Sequence, residues 1–316
     1  MMRRDLRIAR RLKLRDLHTL VVVAERKSMA KAAAELAITQ PAVTKAIAEM
    51  ERTLGTRLLD RTSRGVEPTL YGRALLRWCD VVFDDLHQAV QEVEFLADPT
   101  AGELRIGAVQ PMLQGLLPAI LGRLSRQHPR IVFRISAARN TSDHYRDLRE
   151  RRIDLLIGRI TEAAKDDDLD SEHLFDESIH VVAGARNRWL RRRDVRLADL
   201  VNEPWVLPWP DIGPDSVIWP YVAEAFRKSG LDLPQSCIVS NSVPLGIAML
   251  SAGSYLAMLP QSLIWFSGKQ LGMRALPIQL PIRPPPVGIV TLRNRTVSPV
   301  AQLFIECARD VARPLR

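Results

Sequence analysis

Three features of the chain predict a multidomain α + α/β fold: a basic N-terminal stretch with two short helices around a sharp break, one long heptad-patterned helix after it, and strands alternating with helices from residue 102 onward. The expected organisation is a small helical unit at 1–69, a linker helix at 70–98 and a two-lobed α/β domain at 102–316. Lobe I is expected at about 102–160 and 270–316, and lobe II at about 169–265.

The helical unit starts with Leu14–Val23, which places Leu17, Leu20, Val21 and Ala24 on one side. Ser28 is expected to cap the next helix, Ala30–Leu36, and its hydroxyl is also placed to meet a phosphate. The run Ala37-Ile38-Thr39-Gln40-Pro41 breaks that helix; Thr39 is the expected N-cap of a second one, with Pro41 in its first turn, where the missing N–H costs little. At 100° per residue, Val43, Ile47, Met50 and Leu54 share one face of this second helix, and Pro41, Thr44, Lys45, Ala48 and Arg52 share the other. Gln40, Thr44 and Lys45 near its start are donors suited to base edges: Gln pairs with adenine, Lys reaches guanine or phosphate, and Thr offers a hydroxyl or a methyl contact to thymine. An ordinary helical hairpin on a protein core is the alternative for this stretch taken alone.

After Gly55, the segment TRLLDRTSRGVEPTLYG reads as a short hairpin anchored by Leu58-Leu59, with Arg61 and Arg64 flanking the turn Thr62-Ser63 and Gly65 supplying a tight bend. A basic hairpin beside a recognition helix is a wing, and the whole is then a winged helix-turn-helix whose arginines reach minor groove or phosphate. Two arginines on a turn fit a plain surface loop equally well when read alone.

Charge supports the same reading. Of the net +9, residues 1–66 carry fifteen Lys/Arg against seven Asp/Glu, or +8, which leaves +1 for the other 250 residues. The electrostatic footprint for phosphate is therefore N-terminal. Residues 1–15 form an arginine-rich segment that reads either as an arm attracting phosphate or as a solvated tail. Cys79, Cys237 and Cys307 are too scattered for a disulfide framework or a zinc motif, and Cys237 and Cys307 are expected in cores. The one apolar run near the N-terminus, Leu20–Ala24, meets Glu25-Arg26-Lys27 at once, so neither a signal peptide nor a membrane span is expected and a cytoplasmic location is.

From Leu70 to Ala97 the chain reads as one helix. Leu76, Cys79, Phe83, Leu86, Val90, Val93 and Ala97 recur at spacings of 3, 4, 3, 4, 3 and 4, and Asp98-Pro99 ends the pattern. A narrow stripe on a helix this long needs a partner, most simply the same helix of a second subunit. The expectation is a coiled-coil dimer with paired recognition helices.

The remainder alternates. Expected strands are 102–108, 131–136, 154–158, 178–185, 205–207, 237–240 and 255–259; expected helices are 111–127, 142–152, 216–229, 245–251 and 299–312, with extended pieces at 272–294. Two α/β lobes crossing near 160–168 and 265–269 would resemble a periplasmic-binding-protein clamshell, which binds small ligands between lobes where strand ends and helix N-termini converge. Candidate effector contacts at such junctions are Gln110, Met112, Leu113, Asn140, Thr141, Leu207, Trp209, Asn241 and Ser242. Free helix N–H groups with Asn, Ser and Thr donors suit a carboxylate or a polyhydroxylated ligand; the same residue types also serve simply as helix caps. Asp166-Asp167-Asp168 reads as a solvated loop rather than a metal site, and Arg191-Arg192-Arg193 as a solvated turn. No histidine spacing suits a metal, and no phosphate loop, nucleophile elbow or paired-carboxylate motif stands out, so neither catalysis nor a cofactor is expected.

Residues 14–97 resemble the DNA-binding half of a LysR-type transcriptional regulator: AKAAAELAITQPAVTKAIAEMERTLGTRLLDRTSRGVEPTLYG follows that family's helix-turn-helix and wing nearly position for position. The resemblance implies base and phosphate contacts at Gln40, Pro41, Thr44 and Lys45, where many members carry arginine in place of Lys45, and wing contacts at Arg61 and Arg64. It extends more loosely over the whole chain and implies a homotetramer on a promoter inverted repeat of double-stranded DNA, with an effector site between lobes and RNA polymerase as a further partner. KLRDLHTL, DRTSRGVEPTLYG and the Pro/Leu-rich start of the first sensor helix resemble regulators of sugar uptake and aromatic-acid catabolism. Two other classes stay open at this point: an enzyme tethered to DNA, and an architectural DNA binder whose C-terminal half is ligand-blind.

Overall fold

The computed structural model describes residues 12–62, 65–138, 141–210, 218–235 and 237–316. Packing divides the chain into one unit ending at His87 and a second beginning at Gln88.

In the first unit, α1 (Leu14–Arg26), α2 (Met29–Glu35) and α3 (Gln40–Leu54) surround a core of Leu20, Val23, Ala32, Val43, Ile47 and Met50. Ser28 caps α2, its Oγ accepting from the Lys31 N–H at 3.4 Å. The break between α2 and α3 passes through Ala37 in the left-handed region, φ 53°. Next comes a hairpin, β1 (Leu59–Thr62) paired antiparallel with β2 (Gly65–Pro68). Gly65 is required there: at φ 122° a Cβ would lie 2.4 Å from the Lys27 carbonyl oxygen. The helix expected after the hairpin is α4 (Leu70–Ala97). Its Cys79 is buried and its Phe83 meets His18 edge-on at 5.8 Å, whereas Leu86, Val90 and Val93 are 46%, 48% and 68% exposed. The latter part of the heptad stripe is thus left bare by a single chain. Burial pushes the Cys79 thiol up to about 11, so this cysteine is an unreactive core residue.

The second unit holds two five-stranded sheets. The first, in the order β4-β3-β5-β12-β6, comprises β3 (Ala101–Val109), β4 (Arg130–Ala138), β5 (Leu155–Arg159), β6 (Leu169–Phe175) and β12 (Val287–Leu292). The parallel strands β3, β4 and β5 are flanked by α6 (Leu116–Gln127), α7 (Thr141–Arg149) and α11 (Pro299–Ala312). The second sheet, β11-β7-β10-β8-β9, comprises β7 (Ile179–Gly184), β8 (Trp205–Leu207), β9 (Cys237–Val239), β10 (Leu256–Pro260) and β11 (Met273–Ala275). Its helices are α8 (Trp219–Lys228), α9 (Val243–Ser251) and α10 (Gln261–Ser267).

The lobe boundaries differ from expectation. Residues 169–175 form β6, hydrogen-bonded to β12 in the first sheet, so the chain crosses at 176–178 and not at 160–168. Its polar centre, Asp170-Ser171-Glu172, hides an edge strand that has few apolar residues to alternate. Residues 265–267 lie in α10, and β11 still belongs to the second sheet, which moves the return crossing to 276–286. The single helix expected at 111–127 is split at Gly115 (φ −123°, ψ −97°) into α5 (Gln110–Gln114) and α6, at a point where a Cβ would lie 3.1 Å from the Leu263 Cα of α10. Asp166 and Asp168 are bound by Arg149, and no metal-competent cluster of His, Cys, Asp or Glu occurs among the described residues. Nor is any described helix long and apolar enough to cross a membrane.

Asp154, just before β5, fastens the first lobe. Its carboxylate accepts from Arg105 Nη2 at 2.7 Å and Arg295 Nη2 at 2.6 Å, and Oδ2 also takes the Arg105 backbone N–H at 2.7 Å. Arg295 is buried, so this pair sits where a lost partner is costly. Asp154→Ala is expected to destabilise the domain by about 3–5 kcal/mol, seen as a lower thermal midpoint in calorimetry; an unchanged midpoint would contradict the clamp.

Candidate nucleic-acid interface and inter-lobe site

The recognition surface follows from which side of α3 is buried. Val43, Ile47 and Met50 are 0%, 3% and 1% exposed, so the opposite side must face outward. Thr39, Gln40, Pro41 and Lys45 are exposed, and Thr44 and Ser28 are half-buried. Thr39 does occupy the N-cap position, extended at φ −81° and ψ 149°, but its side chain accepts no hydrogen bond from the helix. Its hydroxyl thus makes no cap. The first-turn amides of α3, with their partial positive charge, lie at this same end. Arg61 lies in β1 opposite Val66, while Arg64 falls outside the described residues.

Two polar contacts fix this surface. Glu51, on the last turns of α3, accepts the backbone N–H of Leu58 at 2.8 Å and of Leu59 at 3.3 Å, which ties the hairpin base to the recognition helix. Arg26 of α1 pairs with Glu35 of α2 in a two-pronged contact, with Nη2–Oε1 at 2.9 Å. Hydrogen bonding to Arg26 lowers the Glu35 carboxyl below its ordinary value.

The expected effector residues fall into four groups. Gln110 is half-buried on α5, and α5 of the first lobe lies against α9 and α10 of the second. Trp209, Asn241 and Ser242 come together: the Trp209 N–H donates to Asn241 Oδ1 at 2.8 Å, and Ser242 caps α9 by accepting from the Leu245 N–H at 3.3 Å. Trp209 is 59% exposed. Met112 and Leu207, by contrast, are 2% and 3% exposed and belong to the two lobe cores, and Leu113 packs against the first of these; Leu207 closes β8 and the other two follow β3, yet all three join apolar cores. Asn140 lies outside the described residues, and Thr141 begins α7.

Sequence reading missed a charged group between the lobes. Arg159, the last residue of β5, is buried and sets its guanidinium carbon 5.7 Å from the ring centroid of Tyr221 on α8 of the other lobe. Burial lowers its pKa, an effect opposed by the fields of Glu177 and Tyr221. Glu177, on the crossing, accepts Ser262 Oγ–H at 2.5 Å and the N–H groups of Ser262 and Ser178 at 3.2 Å each. Burial raises its carboxyl above the ordinary range, with the Ser262 contacts and Arg159 pulling it back. The available signal was an arginine closing the apolar run Leu155-Leu156-Ile157-Gly158: a charge at the buried end of a parallel strand has a use there.

A winged helix-turn-helix with an outward polar face, followed by two α/β lobes, defines a DNA-binding regulator with a sensor domain. The model of the bacterial regulatory helix-turn-helix protein, lysR family, matches residues 14–73, and that of the LysR substrate binding domain matches residues 97–313. The chain belongs to the LysR family of DNA-binding transcriptional regulators, which are not enzymes. Similar relatives include the HTH-type transcriptional regulator GbpR of Azospirillum brasilense, 29% identical over 95% of this chain and 86% of that one, and BenM of Acinetobacter baylyi, 29% identical over 79% and 81%. Among solved structures, a full-length BenM variant matches with TM-score 0.51 at 26% identity over 96% of this chain and 97% of that chain. Full-length CbnR complexed with its target DNA has the same fold, with TM-score 0.62 at 20% identity over 95% and 100%.

Glu51→Ala should leave the Leu58 amide without its acceptor and cost about 1–3 kcal/mol in urea unfolding of the protein, with Glu51→Gln recovering most of it through its remaining oxygen. Equal loss in both variants would show that charge, not acceptance, holds the hairpin.

Proposed function

We propose that the chain reads a promoter inverted repeat through Gln40, Pro41, Thr44 and Lys45 of α3, with Thr39 and Ser28 on phosphate and Arg61 and Arg64 in the wing. The single observation that carries this is the burial of Val43, Ile47 and Met50, which leaves Gln40, Pro41 and Lys45 exposed and Thr44 half-buried at the N-terminal end of α3. Exposure of Leu86, Val90 and Val93 supports pairing of α4 between subunits, and through it a homodimer or homotetramer that presents recognition helices in duplicate in the bacterial cytoplasm, with RNA polymerase as a further partner.

The effector is a small carboxylate, such as a sugar acid or an aromatic acid, held between the lobes by Gln110, Trp209, Asn241 and Ser242, together with Asn140 and Thr141. Arg159 supports the anionic class, since a desolvated guanidinium joining the lobes gains from a charged partner. An effector that binds one lobe arrangement more tightly shifts the population and thereby the packing of subunits on DNA.

Selection of bound duplexes from a random pool should recover a dyad. On that dyad Lys45→Ala should cost about 1–3 kcal/mol and relax one base position; uniform weakening on all sequences would confine Lys45 to phosphate. In a thermal-shift screen, a carboxylate at about 100 times its dissociation constant stabilises by about 2.7 kcal/mol, and Arg159→Gln should abolish that shift. No shift across sugar acids and aromatic acids would favour a ligand-blind domain.

A further inference from the structure

The second lobe carries an arginine face that neither the inter-lobe site nor α3 uses. After β7 the chain runs through two short 3-10 turns, Arg188–Arg191 and Leu197–Leu200, before reaching β8. Arg186, Arg188, Arg191, Arg192, Arg193 and Arg196 on this stretch are all exposed. The acids beside them are Asp194, Asp199 and Glu203; Arg188 pairs with Glu203, and Arg196 with Asp199 at 3.5 Å. Arg186, Arg191, Arg192 and Arg193 have no ion pair among the described residues, whereas in the first lobe Arg130, Arg134, Arg149 and Arg309 each hold a carboxylate. Residues 186–203 contribute +3, so the rest of 67–316, which nets +1 with them, nets −2 without them. A positive cluster on an otherwise acidic domain lowers its self-energy by meeting an anion.

The face is also rigid. Trp189 is buried in the second core with Val195, Leu197 and Leu200, and the guanidinium carbons of Arg188 and Arg192 stand 5.5 Å and 5.1 Å from its ring. Asn187 caps the first turn by accepting the Trp189 N–H at 3.0 Å, and Asp199 accepts the Arg196 N–H at 2.9 Å to cap the second. A backbone already fixed adds no ordering cost of its own when these arginines bind, which leaves only their side-chain freedom to be lost. Six exposed arginines within residues 186–196 suit an extended polyanion rather than a small ion. Duplex DNA carries a charge every ~1.7 Å of axis, and a chain already held to DNA by α3 presents a second site to it at high effective concentration.

We propose that the arginine face at residues 186–196 grips the phosphate backbone of the DNA flanking the dyad that α3 reads, giving the sensor domain its own sequence-independent DNA contact. This rests on DNA reading by α3. The test compares the full-length protein with the double variant Arg191→Ala/Arg193→Ala, two exposed residues without ion pairs, on two duplexes: the selected dyad alone, and the dyad extended by several helical turns on each side. On the long duplex the variant should bind roughly 10-fold more weakly at low salt, and the slope of log affinity against log salt should shrink by about 2. The short duplex should bind both proteins alike, and Arg191→Glu/Arg193→Glu should widen the difference on the long one. An unchanged salt slope on the long duplex overturns the proposal, as does equal weakening on both duplexes. Lost transcriptional activation with both affinities intact overturns it in favour of a protein partner. Failure of the α3 reading would be seen separately, as a parent protein without sequence preference.

Discussion

The structure's first unit depends on the burial of one side of α3. Val43, Ile47 and Met50 fill the space between α1 and α2, and the removal of that apolar surface from water fixes the rotation of the helix about its axis. Once the rotation is fixed, Gln40, Pro41 and Lys45 have nowhere to point but outward. The hairpin then needs only a tether, which Glu51 supplies from the same helix. Recognition helix and wing are thereby set by one packing event and one carboxylate, and Gln40, Pro41 and Lys45 stand outside the apolar core of the unit.

The sensor domain divides its labour differently. Each lobe has its own apolar core, and charged groups are kept at the seams: Asp154 with Arg105 and Arg295 inside the first lobe, and Arg159, Glu177 and Tyr221 between the two. Buried charges of this kind cost desolvation energy that apolar residues would not. Their place at the crossing of two lobes holds that seam by pairing and hydrogen bonding rather than by apolar packing.

Much of this was legible in the sequence because periodicity reports burial. The α3 face, the long helix, the parallel strands of the first lobe and the final helix at 299–312 all follow from apolar spacing. What stayed hidden depends on contacts distant in the chain. The strand 169–175 is polar at its centre, Asp170 to His173, and is recognised only by its pairing with β12. The break falls at Gly115, where the backbone of Leu263 comes close, and the inward turn of Met112 and Leu207 reflects cores that no local pattern locates. Arg159 was passed over for the same reason: its neighbours Glu177 and Tyr221 are distant along the chain and meet it only in the fold.

The central claim is that the start of α3 is the surface that meets DNA, and lysine reactivity tests it most directly. With full-length protein on its selected duplex, Lys45 should be shielded from acetylation while Lys269, exposed on the second lobe, reacts as it does in free protein. A Lys45 that reacts at the same rate with and without the duplex would contradict the account.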